Sequence, residues 1–215
     1  MRRVVHLVRH GEVENPAGVI YGTLPGFVLS ERGRAQVEAS AARLRETLPP
    51  SVTLLSSPLE RAKETASIVH RELSKRDGAT PPDAIAFDER VIEARSWTEG
   101  LPRRFAPRAF VSRWLDKSAH GEDEPPVVVA ERMRRAILDA LEAHPSRELV
   151  VLSHQFPIWM AQVAFAYRLG TAKAHPLARR WPWLFLRRRC SVASVTTLVL
   201  DDEEIVETRY WEPAT

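Results

Sequence analysis

Short apolar segments that alternate with amphipathic segments constrain the fold of this chain more than any other feature. "RVVHLV" (residues 3–8), "VTLLSS" (52–57) and "ELVVLS" (148–153) are nearly continuous apolar runs, as in strands that are buried on both faces of a sheet. A helical apolar period follows the first run over 29–48, and another follows the second run over 57–76. This β-α-β-α order predicts an α/β fold with three layers, α/β/α, around a mostly parallel central sheet.

The remaining predicted elements continue this pattern. They are a short strand, two helices and a closing pair of strands, at 84–87, 127–144, 156–169, 191–200 and 204–211. The stretch 94–126 is irregular and contains four prolines, which predicts a loop or helical excursion rather than a second domain. Because 215 residues suffice for one sizeable core, we expect a single domain over 1–215.

Charge balance and residue types argue against several classes of protein. A total of 31 Lys and Arg against 28 Asp and Glu leaves a net charge of +3, which is weak evidence for a nucleic-acid partner. The single cysteine, Cys190, excludes an intrachain disulfide and fits a reducing compartment. No signal-peptide core follows Met1, and the longest apolar stretch, 156–167, is too short to cross a membrane. We therefore expect a cytoplasmic protein without nucleic-acid or membrane partners.

Polar residues follow each of the three predicted strands directly. After the first strand come Arg9, His10, Gly11 and Glu12; after the second come Pro58, Leu59, Glu60 and Arg61; after the third come His154 and Gln155. Ligands of open parallel sheets bind beyond the carboxyl ends of the strands. These side chains are therefore expected to share one crevice.

Arg61 indicates the charge of the ligand. Ser57 and Glu60 have the spacing of a capping box with Pro58 at the first helical position, so we expect the helix to begin there. Arg61 then lies near the positive end of the helix dipole, which disfavours a cation by roughly 0.3–1 kcal/mol. An anionic ligand would reverse this penalty. The alternative is an ion pair between Arg61 and either Glu60 or Glu64.

Four motifs occur in a fixed order, namely "LVRHGE", "SSPLERAKETA", "VIEARSWTEG" and "VVLSHQ". Together they resemble the histidine phosphatase superfamily, the fold of cofactor-dependent phosphoglycerate mutases and many small phosphatases. The resemblance implies that His10 is a nucleophile that forms a phosphohistidine, a covalent intermediate that divides one displacement into two easier ones. It implies that Arg9, Arg61 and His154 surround the phosphoryl group. Glu93 would be the general acid, a role that needs a raised pKa.

The resemblance also implies contacts with the substrate. Family members often carry an asparagine six residues after the nucleophile, where this chain has Pro16. A one-residue deletion would move this role to Asn15 and would also explain why Gly22 comes one residue early. We therefore assign substrate contacts to Asn15, Tyr21 and Gly22, and to Gln155, which occupies a position where many members have glycine. The alternative for Asn15 is that it only forms a turn.

The resemblance implies no metal or other cofactor. His6 and His10 are four residues apart, but on a strand this spacing amounts to about 13 Å, so the two cannot share a zinc ion. Trp97 stands where family members commonly have a glycine, four residues after Glu93, so the surroundings of the acid depart from the pattern.

Residues 94–126 would form a lid-like insertion after the general acid. Its arginines would suit an acidic substrate and its tryptophans the body of that substrate; they are Arg95, Arg103, Arg104, Arg108, Trp97 and Trp114. A second stretch, 179–190, mixes arginines with aromatic residues and predicts a loop whose aromatic side chains dock on the domain while the arginines remain solvated. A membrane or nucleic-acid contact is the alternative there. Oligomeric state is left open; a homodimer is one option, with Trp181 and Trp183 as interface candidates.

These observations lead to one main functional hypothesis and three others. The main hypothesis is a metal-independent phosphatase for a small phosphorylated metabolite, because the interval between Glu93 and His154 is short for a mutase. The second is a cofactor-dependent phosphoglycerate mutase. The third is a binding module for a phosphate ester or a partner that keeps the fold without turnover, against which the nucleophile and the acid count. Nucleic-acid binding is the most distant.

Overall fold

The computed structural model describes residues 2–75, 85–105, 123–144, 148–180 and 189–214. Within these ranges, six strands form one sheet: β1 (Arg2–Arg9), β2 (Thr53–Ser56), β3 (Ile85–Phe87), β4 (Glu148–Ser153), β5 (Val195–Asp201) and β6 (Glu204–Trp211). Their order across the sheet is β3-β2-β4-β1-β5-β6. Strands β1 to β4 run parallel to one another, and β5 is antiparallel to both of its neighbours. The predicted mostly parallel sheet is confirmed.

The helices cover both faces of this sheet and give the three predicted layers. They are α1 (Glu31–Thr47), α2 (Glu60–Leu73), α3 (Pro126–Ala143), α4 (Gln155–Ala166) and the short α5 (Pro176–Arg180). Side chains alternate between the faces of a strand, so β1 contributes Val5 and Leu7 to a core with α3 and α4. On the opposite face, Val8 packs against α1 and α2. The α/β/α architecture is confirmed.

Ser30 caps the beginning of α1. The Ser30 hydroxyl accepts a hydrogen bond from the Gly33 amide at 3.0 Å, which satisfies one of the amides that a helix start leaves without a partner. The Ser30 amide donates to the Glu12 carbonyl at 2.9 Å. The helix start is therefore tied to the segment that follows β1.

The predicted beginning of α2 is wrong. The helix starts at Glu60, and its cap residue is Leu59, which makes no side-chain capping bond. The Ser57 hydroxyl instead accepts from the Leu59 amide at 3.3 Å and contacts His154. A contact with a distant part of the chain has thus overridden the local capping pattern.

Candidate active site

The carboxyl ends of β1 and β4 place two histidines side by side. These strands are adjacent and parallel, with Arg9 opposite Ser153, so His10 and His154 follow at equivalent positions. Their ring centroids lie 5.1 Å apart, and the residues His10 and His154 are 2% and 0% exposed, respectively. Both imidazoles therefore lie at the same edge of the sheet, as expected from the sequence.

The hydrogen bond of His10 defines which ring nitrogen can react. Nδ1 lies 2.8 Å from the Gly11 carbonyl oxygen, which can only accept, so Nδ1 carries the proton in this bond. The lone pair of the neutral ring is then on Nε2. Burial holds the pKa of His10 well below its usual range, and the positive charges of Arg61 and Arg9 lower it further. A neutral imidazole with a free Nε2 is the form that a nucleophile requires.

Two glycines allow the backbone around His10 to pack closely against α1. A Cβ atom on Gly11 would lie 2.4 Å from the Gly33 carbonyl oxygen, and one on Gly33 would lie 2.0 Å from the Glu12 carbonyl oxygen. No side chain fits at either position without backbone movement. This contact fixes the turn that carries His10, and sequence reasoning did not identify Gly33.

Arg9 and Arg61 bring two guanidinium groups to the same end of the sheet, that of Arg61 fully buried and that of Arg9 partly buried. Arg9 Nη1 donates to the Cys190 carbonyl at 2.7 Å, and Arg61 Nη2 donates to the Gly22 carbonyl at 2.5 Å. The Nε of each, together with Nη1 of Arg61, is buried without a protein hydrogen-bond partner. Desolvation lowers the pKa of Arg61, which is fully buried.

The alternative ion pair of Arg61 with Glu64 is not formed, because Glu64 pairs with Arg34 of α1 at 3.1 Å. Among the described residues, no hydrogen bond joins Arg61 to Glu60 either. Glu60 Oε2 is buried without a partner. Buried donors that lack protein acceptors favour an anionic ligand with several oxygens.

Ser57 holds the second imidazole. Its hydroxyl lies 2.8 Å from His154 Nε2, while His154 Nδ1 is buried without a protein partner. Burial holds the pKa of His154 well below its usual range, and the positive charge of Arg61 lowers it further. Sequence reasoning assigned Ser57 to helix capping and so missed this contact.

Glu93 lies in the segment after β3 and lines a cavity together with Arg9 and His10. Its Oε1 accepts from the Ala94 amide at 2.9 Å. Burial raises the pKa of this carboxyl group, although the Ala94 amide and the charges of Arg61 and Arg9 act in the opposite direction. A carboxyl group that stays protonated above its ordinary pKa can donate a proton.

The cavity in front of these groups has a volume of about 540 Å³. Arg9, His10 and Glu93 line it, as do Tyr21, Gly22 and Gln155 of the predicted contacts, whereas Arg61 and His154 are not among its lining residues. The Tyr21 ring lies 4.8 Å from the Arg61 guanidinium and 5.6 Å from that of Arg103. Arg95 and Trp97 of the predicted lid also reach the cavity, whereas Arg108 and Trp114 lie outside the described residues.

Asn15 is used differently from the predicted contact. Its Nδ2 donates to the Val19 carbonyl at 2.8 Å, and its Oδ1 accepts from the Val19 amide at 3.1 Å. Both ends of the amide therefore hold a loop, which is the arrangement of the alternative, a turn-forming asparagine. Asn15 is not among the residues that line the cavity.

Four further features bear on cofactors and partners. Among the described residues, no three His, Cys, Asp or Glu side chains group as a metal site would require, and no helix is long and apolar enough to cross a membrane. His6 lies between Thr197 Oγ1 and Glu148 Oε2, each at 3.0 Å. The aromatic part of 179–190, with Trp181 and Trp183, lies outside the described residues.

Comparisons with known proteins agree with this geometry. Residues 5–211 match the family model of the histidine phosphatase superfamily, branch 1. An uncharacterized protein of Mycobacterium tuberculosis strain H37Rv is 35% identical over 219 aligned residues, which cover 98% of this chain and 96% of the relative. A metal-independent phosphoserine phosphatase of Arabidopsis thaliana is 31% identical over 150 residues, covering 69% of this chain and 62% of the relative.

A solved structure gives the corresponding match in three dimensions. The native structure of a mycobacterial glucosyl-3-phosphoglycerate phosphatase superposes with a TM-score of 0.71 at 25% identity. The match covers the whole of both chains.

Proposed function

The chain belongs to the histidine phosphatase superfamily, and from this premise we propose that it is a metal-independent phosphatase that hydrolyses a small phosphate monoester through a phosphohistidine at His10. The observation that carries the proposal is the arrangement around the two imidazoles. His10 Nε2 is left with its lone pair, and buried nitrogens of Arg9, Arg61 and His154 lack protein hydrogen-bond partners beside it. Two related proteins named as phosphatases support hydrolysis as the reaction class.

In the first half-reaction, the lone pair of His10 Nε2 attacks phosphorus while the bond from phosphorus to the ester oxygen breaks. The protonated Glu93 gives its proton to the leaving oxygen, so an alcohol departs and Glu93 becomes a carboxylate. The guanidinium groups of Arg9 and Arg61 stabilise the charge on the equatorial oxygens, and His154 Nδ1 lies buried beside them. The products of this step are phosphohistidine and the alcohol.

In the second half-reaction, a water molecule attacks the phosphohistidine. The Glu93 carboxylate takes a proton from this water, and the bond from phosphorus to Nε2 breaks, with its electron pair returning to the imidazole. Inorganic phosphate leaves, and both His10 and Glu93 recover their starting protonation states. The low pKa of His10 favours this return, because the neutral ring is the stable form of the buried side chain.

The test is phosphate release from a panel of phosphate monoesters by the full chain and by His10→Ala. Wild type is expected to release phosphate and to form an acid-labile, base-stable phosphoprotein, while the variant does neither. His144→Ala is the matched control, because His144 is an exposed histidine at the end of α3. Equal phosphate release by wild type and His10→Ala would refute the nucleophile.

The panel also separates hydrolysis from the mutase reaction. Incubation with 3-phosphoglycerate and a bisphosphoglycerate primer should yield inorganic phosphate rather than 2-phosphoglycerate. Accumulation of 2-phosphoglycerate without phosphate would replace the phosphatase with the mutase. Binding of an ester without any phosphoenzyme would instead support a module without turnover.

A further inference from the structure

Arg132 of α3 holds the backbone of the segment that carries Glu93. Its Nη1 donates to the Arg90 carbonyl at 2.6 Å and to the Ile92 carbonyl at 2.9 Å, and its Nη2 donates to the Glu93 carbonyl at 3.4 Å. One guanidinium group thus reaches three carbonyls within four consecutive residues. This segment is not part of a long helix or a strand that would otherwise fix it.

Glu124 orients this guanidinium group. Its carboxylate oxygens accept from Arg132 Nε at 2.6 Å and from Arg132 Nη2 at 2.9 Å. All five N–H donors of Arg132 therefore have acceptors, and the side chain is only 14% exposed. The Glu124 amide also donates to the Arg95 carbonyl at 3.1 Å, which ties the end of the predicted lid to the same segment.

We propose that Arg132 is a positioning residue for Glu93, a role that rests on the proposed phosphatase function. The Glu93 carboxyl group has one protein hydrogen bond among those described, to the amide of the next residue, so its place in the cavity follows from the backbone of its own segment. Proton transfer requires the carboxyl oxygen to lie within hydrogen-bond reach of the leaving oxygen. A displacement of about 1 Å costs such a step about 100-fold in rate.

A further contact agrees with this role. The Ser153 hydroxyl, at the end of β4, donates to the Val91 carbonyl at 2.7 Å. Side chains from α3 and β4 therefore bind four successive carbonyls, from Arg90 to Glu93. His154 directly follows β4. The segment that carries Glu93 and one of the two imidazoles are therefore both held by this strand.

The test compares two esters that differ in how much they need a general acid. The phenolate of p-nitrophenyl phosphate leaves without a proton, whereas glycerol 3-phosphate, or the best alkyl ester of the panel, must receive one. Arg132→Gln should lower kcat/KM for the alkyl ester by about 10- to 100-fold and for p-nitrophenyl phosphate by less than about threefold. Glu93→Gln should show the same selectivity, and Arg132→Lys should recover part of the loss.

A double variant separates positioning from general destabilisation. In the Glu93→Gln background, Arg132→Gln should cost little more, because residues that act as one unit are not additive. Arg135→Gln is the matched control; Arg135 lies three residues further along α3, is exposed, and its removal changes the charge equally. Its kcat/KM should stay within about twofold of wild type.

The outcomes distinguish this proposal from the proposed function. Equal losses on both esters, or additive losses in the double variant, would overturn the positioning role while leaving the phosphatase intact. A wild-type chain that hydrolyses no ester of the panel would overturn the phosphatase, and the positioning role with it. If Arg132→Gln does not fold, as judged by thermal unfolding, Glu124→Gln replaces it and should show the same selectivity at about three- to tenfold.

Discussion

Replacement of Arg61 by methionine should abolish activity while leaving the stability of the free protein nearly unchanged. Arg61 is fully buried, and two of its three guanidinium nitrogens have no protein acceptor. Each buried donor without a partner costs about 1–3 kcal/mol. Arg61→Met removes both of these nitrogens and fills a similar volume with apolar atoms.

Two favourable contacts are lost in the same variant. The bond to the Gly22 carbonyl is worth about 1.5–3 kcal/mol, and the contact with the Tyr21 ring about 0.5–2 kcal/mol. Gains and losses are of similar size, so we expect the free energy of unfolding to change by at most about 1 kcal/mol. For a chain of this length, this corresponds to a change in Tm of about 2–4 °C.

Thermal unfolding with and without inorganic phosphate is the assay. At 100 times its Kd, phosphate should stabilise the wild type by about 2.7 kcal/mol, whereas Arg61→Met should show almost no shift. Phosphatase activity should fall by about 1000-fold or more. Arg135→Met is the exposed arginine control and should match the wild type in every measurement.

A large loss of stability in the phosphate-free variant would contradict this prediction. If Arg61→Met lowered the stability of the phosphate-free protein by about 3 kcal/mol or more, the guanidinium group would be satisfied by the protein itself. Its positive charge would then stabilise the fold and would not serve to bind an anion.

Three further predictions test the site. Gly33→Ala should destabilise the protein by about 2 kcal/mol or more, although alanine favours helices, because its Cβ would lie 2.0 Å from the Glu12 carbonyl oxygen; urea unfolding measures this. The pKa of Glu93 is raised, so its protonated form persists above the ordinary value and is lost as pH rises through the folded pKa; kcat/KM should fall on that alkaline limb, and Glu93→Gln should abolish the limb. Ser57→Ala should lower kcat about 10-fold by freeing His154, with little change in Tm, while Ser57→Thr restores part of the loss.

Each of these three predictions has one result that would contradict it. A Gly33→Ala variant as stable as the wild type would mean that the backbone of α1 yields easily. An alkaline limb that survives in Glu93→Gln would assign the proton to another group. Equal kcat for Ser57→Ala and wild type would mean that the backbone after β4, and not Ser57, orients His154.

Local sequence patterns were sufficient to predict the strands and the edge of the sheet at which the two histidines lie. The apolar run before Arg9 predicts a buried strand, and parallel strands necessarily bring their carboxyl ends to one edge of the sheet. The proximity of His10 and His154 follows from this topology, although 144 positions separate them. The same reasoning could not locate Glu93 as securely, because only a short 3₁₀ turn at Glu89–Val91 precedes it.

For two side chains with two plausible roles each, the fold determines which role is used. Ser57 has the spacing of a helix cap, but His154, 97 residues away, takes its hydroxyl. Asn15 has the position of a substrate ligand, but its amide closes a loop on Val19. Arg132 cannot be distinguished in the sequence from its exposed neighbour Arg135, because both lie on an amphipathic helix, and only the fold shows which one faces the acid.

The register between β1 and β4 has a consequence for how such a protein can diversify. Arg9 and Ser153 face each other in the ladder, so the two rings that follow are 5.1 Å apart, close to the roughly 4.8 Å between neighbouring strands. This separation is a property of the main chain, which substitutions in the connecting segments leave untouched. Loops at the rim of the site can therefore change to accept a new ester while His10 and His154 keep their spacing. The reaction and the substrate preference can then evolve independently.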